Sequence, residues 1–120
     1  MNGTLLLALF SFPKHRLLLA DFDSVGEPSV TRNDPKTGFT EDQSSYLLPP
    51  GSADLCFPTD FGSLKQVYSQ VTGRSGGSVH VMKQSAFFEL QKTEAAAAQT
   101  RNGYNPMLED FGNYSMLIGQ

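Results

Sequence analysis

The sequence predicts a small α+β chain, and three observations lead to that class. Two short leucine-rich runs near the N-terminus, parted by Pro13-Lys14-His15-Arg16, have strand length. A capped amphipathic segment with helical spacing follows Phe61, and an alternating segment follows it at Ser78–Met82. Between these regions, Ser24–Gly62 holds five of the seven prolines and four of the eleven glycines and shows neither period. With 120 residues the chain makes one small domain, residues 1–120, in which 24–62 is an extended arm or ribbon expected to pack on a partner.

Each element has a local reason. Residues 4–12 and 17–25 read as an N-terminal β-hairpin, because each run is short and Pro13 breaks any continuous helix. Near-continuous apolar character in such runs implies strands covered on both faces. Within the arm, Ser29–Arg32 and Phe39–Glu41 flank Asn33-Asp34-Pro35-Lys36-Thr37-Gly38, whose Asp, Pro and Gly are turn formers, so a short exposed ribbon is expected. Tyr46–Gly51 contains Pro49-Pro50-Gly51 and reads as polyproline-like or turn, and Leu55-Cys56-Phe57-Pro58 is an apolar docking point.

The first helix is expected at about 63–72. Ser63-Leu64-Lys65-Gln66 fits a capping box, Leu64, Val67, Tyr68 and Val71 form one apolar face, and Gly73 can end the helix. A short strand at 78–82 is followed by a second helix at about 85–102, capped by Ser85 and stopped by Asn102-Gly103. Its run Ala95–Ala98 has high helix propensity and little bulk, so another backbone can approach there. Seven large apolar residues between Tyr104 and Gln120 predict a C-terminal strand near Tyr114–Ile118 or a docking tail.

Charge and cysteine content narrow the function classes. The formal net charge is −3, with the first sixty residues at −4 and the last sixty at +1. No cluster of Lys and Arg is dense enough to follow a phosphate backbone, so nucleic-acid binding is not expected. The arm carries most of the front half's acidity, so the surface it meets is expected to be neutral or basic. The single cysteine, Cys56, rules out an intramolecular disulfide and reads as a small buried hydrophobe. The apolar run Leu5–Phe12 lacks a preceding basic region and an Ala-x-Ala site, and it is too short to span a bilayer, so neither a signal peptide nor a membrane span is expected. His15 falls in the predicted hairpin turn, where it is expected to be solvated, and His15 and His80 are too few for a zinc site.

The leading reading is a structural or interaction subunit of a larger assembly, without enzyme activity, cofactor or metal. A viral or phage virion protein fits best: a small coat, decoration or connector subunit, oligomeric, in the virion or the cytoplasm of an infected cell, with other protein subunits as partners. A small adaptor or inhibitor of one host protein shares the same features. Leu47, Leu48, Leu55, Phe57, Phe61, Met116, Leu117 and Ile118 are the candidate interface residues, being large and apolar in the arm and the C-terminal tail, the segments expected to pack on a neighbour.

One motif points to chemistry instead. Leu17-Leu18-Leu19-Ala20-Asp21-Phe22-Asp23-Ser24-Val25 resembles the first motif of the haloacid-dehalogenase-like phosphohydrolases, an apolar strand ending in Asp-x-Asp. The resemblance implies Asp21 as nucleophile and Mg²⁺ ligand and Asp23 as general acid and base, since one carboxylate must stay ionised while the other moves a proton. Glu109-Asp110 would be the distal acidic metal motif, with Asp110 as the ligand, and Lys83 or Lys92 would supply the lysine. It also implies a doubly wound sheet, which requires crossover helices, yet no helical pattern lies between Val25 and Gly62.

Overall fold

The computed structural model describes residues 11–34 and 36–120. It is an α+β fold that divides into two compact units, one built from the residues up to Asp23 together with Thr59–Gln120, the other from Ser24–Pro58. Of the two runs assigned to an N-terminal hairpin, most of the first lies outside the described residues.

In the first unit, β1 (Leu17–Phe22), β5 (Val79–Lys83) and β6 (Tyr114–Gly119) form a three-stranded sheet in the order β1-β6-β5. Both pairings are antiparallel, with Leu19 and Val81 opposite Leu117. Strand β6 is therefore the centre of the sheet, and its run of buried residues, Ser115, Met116 and Leu117, reflects cover on both faces. Thr59 donates its backbone N–H to Phe22 O (2.8 Å), so the chain re-enters this unit beside the end of β1.

Helix α1 (Phe61–Thr72) packs on this sheet. Its apolar face places Phe61 and Tyr68 against Val79 and Leu117, with Leu17, Leu19, Leu64 and Val71 around them. The helix starts one turn before the predicted capping box. Asp60 is the N-cap, accepting from Ser63 N (3.0 Å) and Ser63 Oγ (2.6 Å), so Ser63 serves as a donor and not as the cap. At the other end, Gly73 adopts φ 69°, the left-handed turn that stops the helix.

These two hydrogen bonds to Ser63, the side-chain one first, hold the Asp60 carboxyl below its ordinary 3.8. A depressed folded-state pKa stabilises the fold above the unfolded value, and that stabilisation disappears as pH falls through the folded value. Denaturant titrations of the parent and of Asp60→Asn, which keeps a capping oxygen, should therefore differ at neutral pH and converge as pH drops below 3.8. A gap that does not change with pH would refute this account of the cap.

Tyr68 closes the core with its ring and anchors a polar network with its hydroxyl. Arg74 Nη1 donates to Tyr68 Oη (2.7 Å) and to the carbonyl of His15 (2.9 Å), and Nη2 donates to Pro13 O (3.0 Å). The Tyr68 hydroxyl then has His15 Nε2 as its acceptor at 2.9 Å, while His15 Nδ1 faces Phe12 O. His15 is thus tied into the fold and is not the solvated turn residue that the sequence predicts. Gly119, on β6, is the position that lets the Tyr68 ring lie directly against the sheet.

The predicted second helix is two shorter ones, α2 (Gln84–Leu90) and α3 (Lys92–Ala97). Gln91 breaks the helix with φ −108° and ψ 55°, and its N–H turns back to Phe88 O (3.0 Å). After the break Ala95 is buried, and its carbonyl accepts from Asn105 Nδ2 (2.7 Å), the close approach that the small alanines allow. Asn105 also caps α4 (Pro106–Glu109) by accepting from Met107 N, with Pro106 at the start of the helix, where proline is tolerated.

The second unit is a sheet of three short strands, β2 (Ser29–Asn33), β3 (Thr40–Asp42) and β4 (Asp54–Cys56), in the order β3-β2-β4. The predicted ribbon is the β2–β3 pair. Its turn is held by Gly38 N to Asp34 O (2.8 Å), Asp34 N to Phe39 O (2.9 Å) and Lys36 N to Asp34 Oδ1 (2.8 Å), with Gly38 at φ 72°. The Lys36 amide, followed by the Thr37 hydroxyl, lowers the Asp34 pKa below 3.8. The apolar Leu55 segment, expected only to dock, adds a strand by pairing Leu55 with Val30.

Candidate functional site

The end of β1 gathers the two motif carboxylates, and both already have partners inside the unit. Asp21 Oδ2 accepts from Thr59 Oγ1 (2.6 Å) and its Oδ1 accepts from Phe22 N (2.8 Å). Asp23 Oδ2 accepts from Lys83 Nζ (2.5 Å) and from the Ser115 hydroxyl, and Lys83 also donates to Gly112 O (3.0 Å). Lys83 thus bridges strand β5 to the turn before β6, and Asp23 closes the far side. Asp110 is the partner of Tyr104, whose hydroxyl pKa is raised by that hydrogen bond first and by desolvation second.

This geometry overturns the phosphohydrolase reading. Its metal site would need Asp21, Asp23 and Asp110 together, and among the described residues no three His, Cys, Asp or Glu side chains are placed to hold a metal ion. Both sheets are antiparallel throughout, whereas the resemblance implies parallel strands joined by crossover helices. Asp21-Phe22-Asp23 is a strand end fixed by Thr59, Lys83 and Ser115, and Lys92 begins α3.

The candidate interface residues divide by unit. Phe61, Met116 and Leu117 are buried within the first unit, where Ile118 is half-buried. In the second, Leu47, Leu55 and Phe57 are exposed and Leu48 is half-buried. Cys56 is a half-buried free thiol, and His80 is exposed, with Nε2 donating to Gly77 O (2.7 Å).

The second unit presents a surface of a different character. Tyr46 and Phe57 stack with ring centroids 5.7 Å apart and planes at 26°, and both remain about half exposed. Tyr46 also lines a cleft of about 350 Å³ with Glu27, Asp42, Gln43, Ser44 and Ser29. No Lys, Arg or His lines this cleft. The charge balance reinforces it: residues 24–58 hold five carboxylates against Arg32 and Lys36, a net −3, whereas the rest of the chain holds seven acids and seven bases. The whole formal charge of the chain therefore lies on this one unit. Sequence reasoning registered the acidity of the segment but not the cleft.

The sequence model of a family described as putative S-adenosyl-L-methionine-dependent methyltransferases matches residues 8–78. The chain belongs to this family. It is also similar to the mitochondrial protein arginine methyltransferase NDUFAF7 homolog of Saccharomyces cerevisiae, with 26% identity over 120 residues, covering 90% of this chain and 30% of that protein. The chain thus spans less than a third of the length of the curated relative it matches. No solved structure matches it.

Membership of a methyltransferase family overturns the virion reading and the expectation of a subunit without enzymatic context. Irregular, proline-rich backbone and the lack of a catalytic motif, on which the virion reading rests, are not specific to assembly proteins. Among the described residues no helix is long and apolar enough to cross a membrane.

The family's cofactor can be tested against the residues present. A ligand of that size needs a concave site with several converging polar groups, and open α/β sheets provide one where parallel strands end beside a crossover. The described strands are antiparallel, and no described buried side-chain nitrogen or oxygen lacks a hydrogen-bond partner. A groove of about 410 Å³ between Phe88, Lys92, Ala95 and Leu108 has a mainly apolar lining, and its buried amide, Asn105, is engaged with Ala95 and Met107. The described residues do not fit the cofactor.

Proposed function

We propose that this chain works in S-adenosyl-L-methionine-dependent methylation of protein arginine and supplies a substrate-facing part of that machinery, not the cofactor cradle. The family match carries the reading, because residues 8–78 run through β1, the whole second unit and α1. The name of the yeast relative, a mitochondrial protein arginine methyltransferase homolog, supports arginine as the target and the mitochondrion as the compartment. The misfit of the described residues to the cofactor supports the division of labour. In this reading the partner is a protein substrate.

Disrupting the gene for this chain should lower methylarginine in at least one mitochondrial protein, and restoring the gene should return it. Mass spectrometry of mitochondrial digests reads this directly. A methylarginine profile that is unchanged by disruption would remove the proposal.

A further inference from the structure

We infer that the second unit, Ser24–Pro58, docks an arginine-bearing basic stretch of the protein substrate, with the cleft between Glu27, Asp42 and Tyr46 as the guanidinium seat. This rests on the arginine-methylation reading above and names the surface that would recruit the substrate.

Charge complementarity selects the occupant. All of the chain's net −3 lies on this unit, and the cleft of about 350 Å³ has two carboxylates and no cation in its lining. An arginine side chain matches each wall. Its planar fork can donate two parallel hydrogen bonds to one carboxylate, and its face can lie on an aromatic ring. The Tyr46 ring stacks on Phe57 and stays about half exposed, so it offers an aromatic platform at the cleft. Leu47 and Leu55 are exposed apolar side chains on the same unit.

Lysine would fit less well, because a compact ammonium neither bridges a carboxylate in bidentate fashion nor stacks. An acidic peptide would be repelled, and a second copy of this unit would bring two net-negative surfaces together. The surface therefore discriminates by chemistry and not by area.

The test uses the whole chain and a fluorescent peptide in which arginines alternate with glycines, titrated by anisotropy. Binding should fall roughly tenfold or more for Asp42→Asn, the scale of losing a charged hydrogen bond, and comparably for Glu27→Gln. Tyr46→Leu should weaken the arginine peptide more than a lysine version of it. These side chains are exposed, and the variants keep the parent's shape or apolar character, so folding is not at stake. Equal binding of the arginine, lysine and acidic peptides, or unchanged affinity in the Asp42 and Tyr46 variants, would overturn the inference. If gene disruption lowers methylarginine while these variants bind normally, the docking surface fails and the methylation reading stands. If the peptide binds as expected while methylarginine is unchanged by disruption, the methylation reading fails instead.

Discussion

Gly119→Ala is expected to destabilise the first unit by about 3 kcal/mol, the upper part of the range for forcing atoms into a packed core. A Cβ at this position would stand 2.2 Å from Tyr68 Oη, 2.5 Å from Cζ and 2.7 Å from Cε1. Neither side can give way cheaply. Gly119 lies in the central strand, opposite Leu17 on one neighbour and Val79 on the other, so a shift of its backbone would disturb both ladders. The Tyr68 ring is 2% exposed, and its hydroxyl is held between Arg74 and His15. Urea denaturation followed by far-ultraviolet circular dichroism gives the shift. A double-mutant cycle with Tyr68→Ala isolates its cause, because removing the ring makes room for the methyl group and the two losses should fall well short of adding. Full additivity, or a loss below about 1 kcal/mol in the single variant, would show that the sheet and ring do not meet as closely as described.

The contact between Gly119 and Tyr68 also shows where the sequence stops being legible. Helix α1, strand β5 and the β2–β3 ribbon announce themselves through periods and turn residues that act within a few positions, whereas the apolar content of the C-terminal segment leaves strand β6 and a docking tail as alternatives. The partner of β1 does not, because β1 pairs with β6 near the other end of the chain and nothing local marks that register. The break at Gln91 is hidden for a similar reason. Its neighbours favour helix, and nothing local marks the turn of its N–H back to Phe88 O.

The site follows the same rule. Asp21 and Asp23 draw the eye as an alternating acidic pair, yet their roles are set by Thr59, Lys83 and Ser115, distant in sequence. The family match covers residues 8–78, whereas the short motif that stands out within that range, Asp21-Phe22-Asp23, points to a different chemistry. In the second unit the excess of acid is countable from the sequence, but Glu27 and Asp42 line one cleft only because β2 and β3 fold back on each other.

Leu117→Ala should cost about 3–5 kcal/mol, the range for truncating a buried leucine where the surroundings cannot collapse. Leu117 has no exposed surface, occupies the middle of the central strand and meets Phe61, Tyr68 and Val79 in the core cluster. Hydrogen-bonded neighbours on both sides fix the strand, so the space left by the missing carbons stays largely open. Leu47→Ala is the matched control, since Leu47 is 94% exposed and its truncation should stay within about 0.5 kcal/mol. The contrast separates two roles that the sequence assigns alike, because both leucines are apolar residues in segments open to a partner. A core role for Leu117 predicts a large loss in chemical denaturation of the isolated chain that does not depend on protein concentration. An interface role predicts little loss in the dilute chain and a change only in association, and that result would displace Leu117 from the core described here.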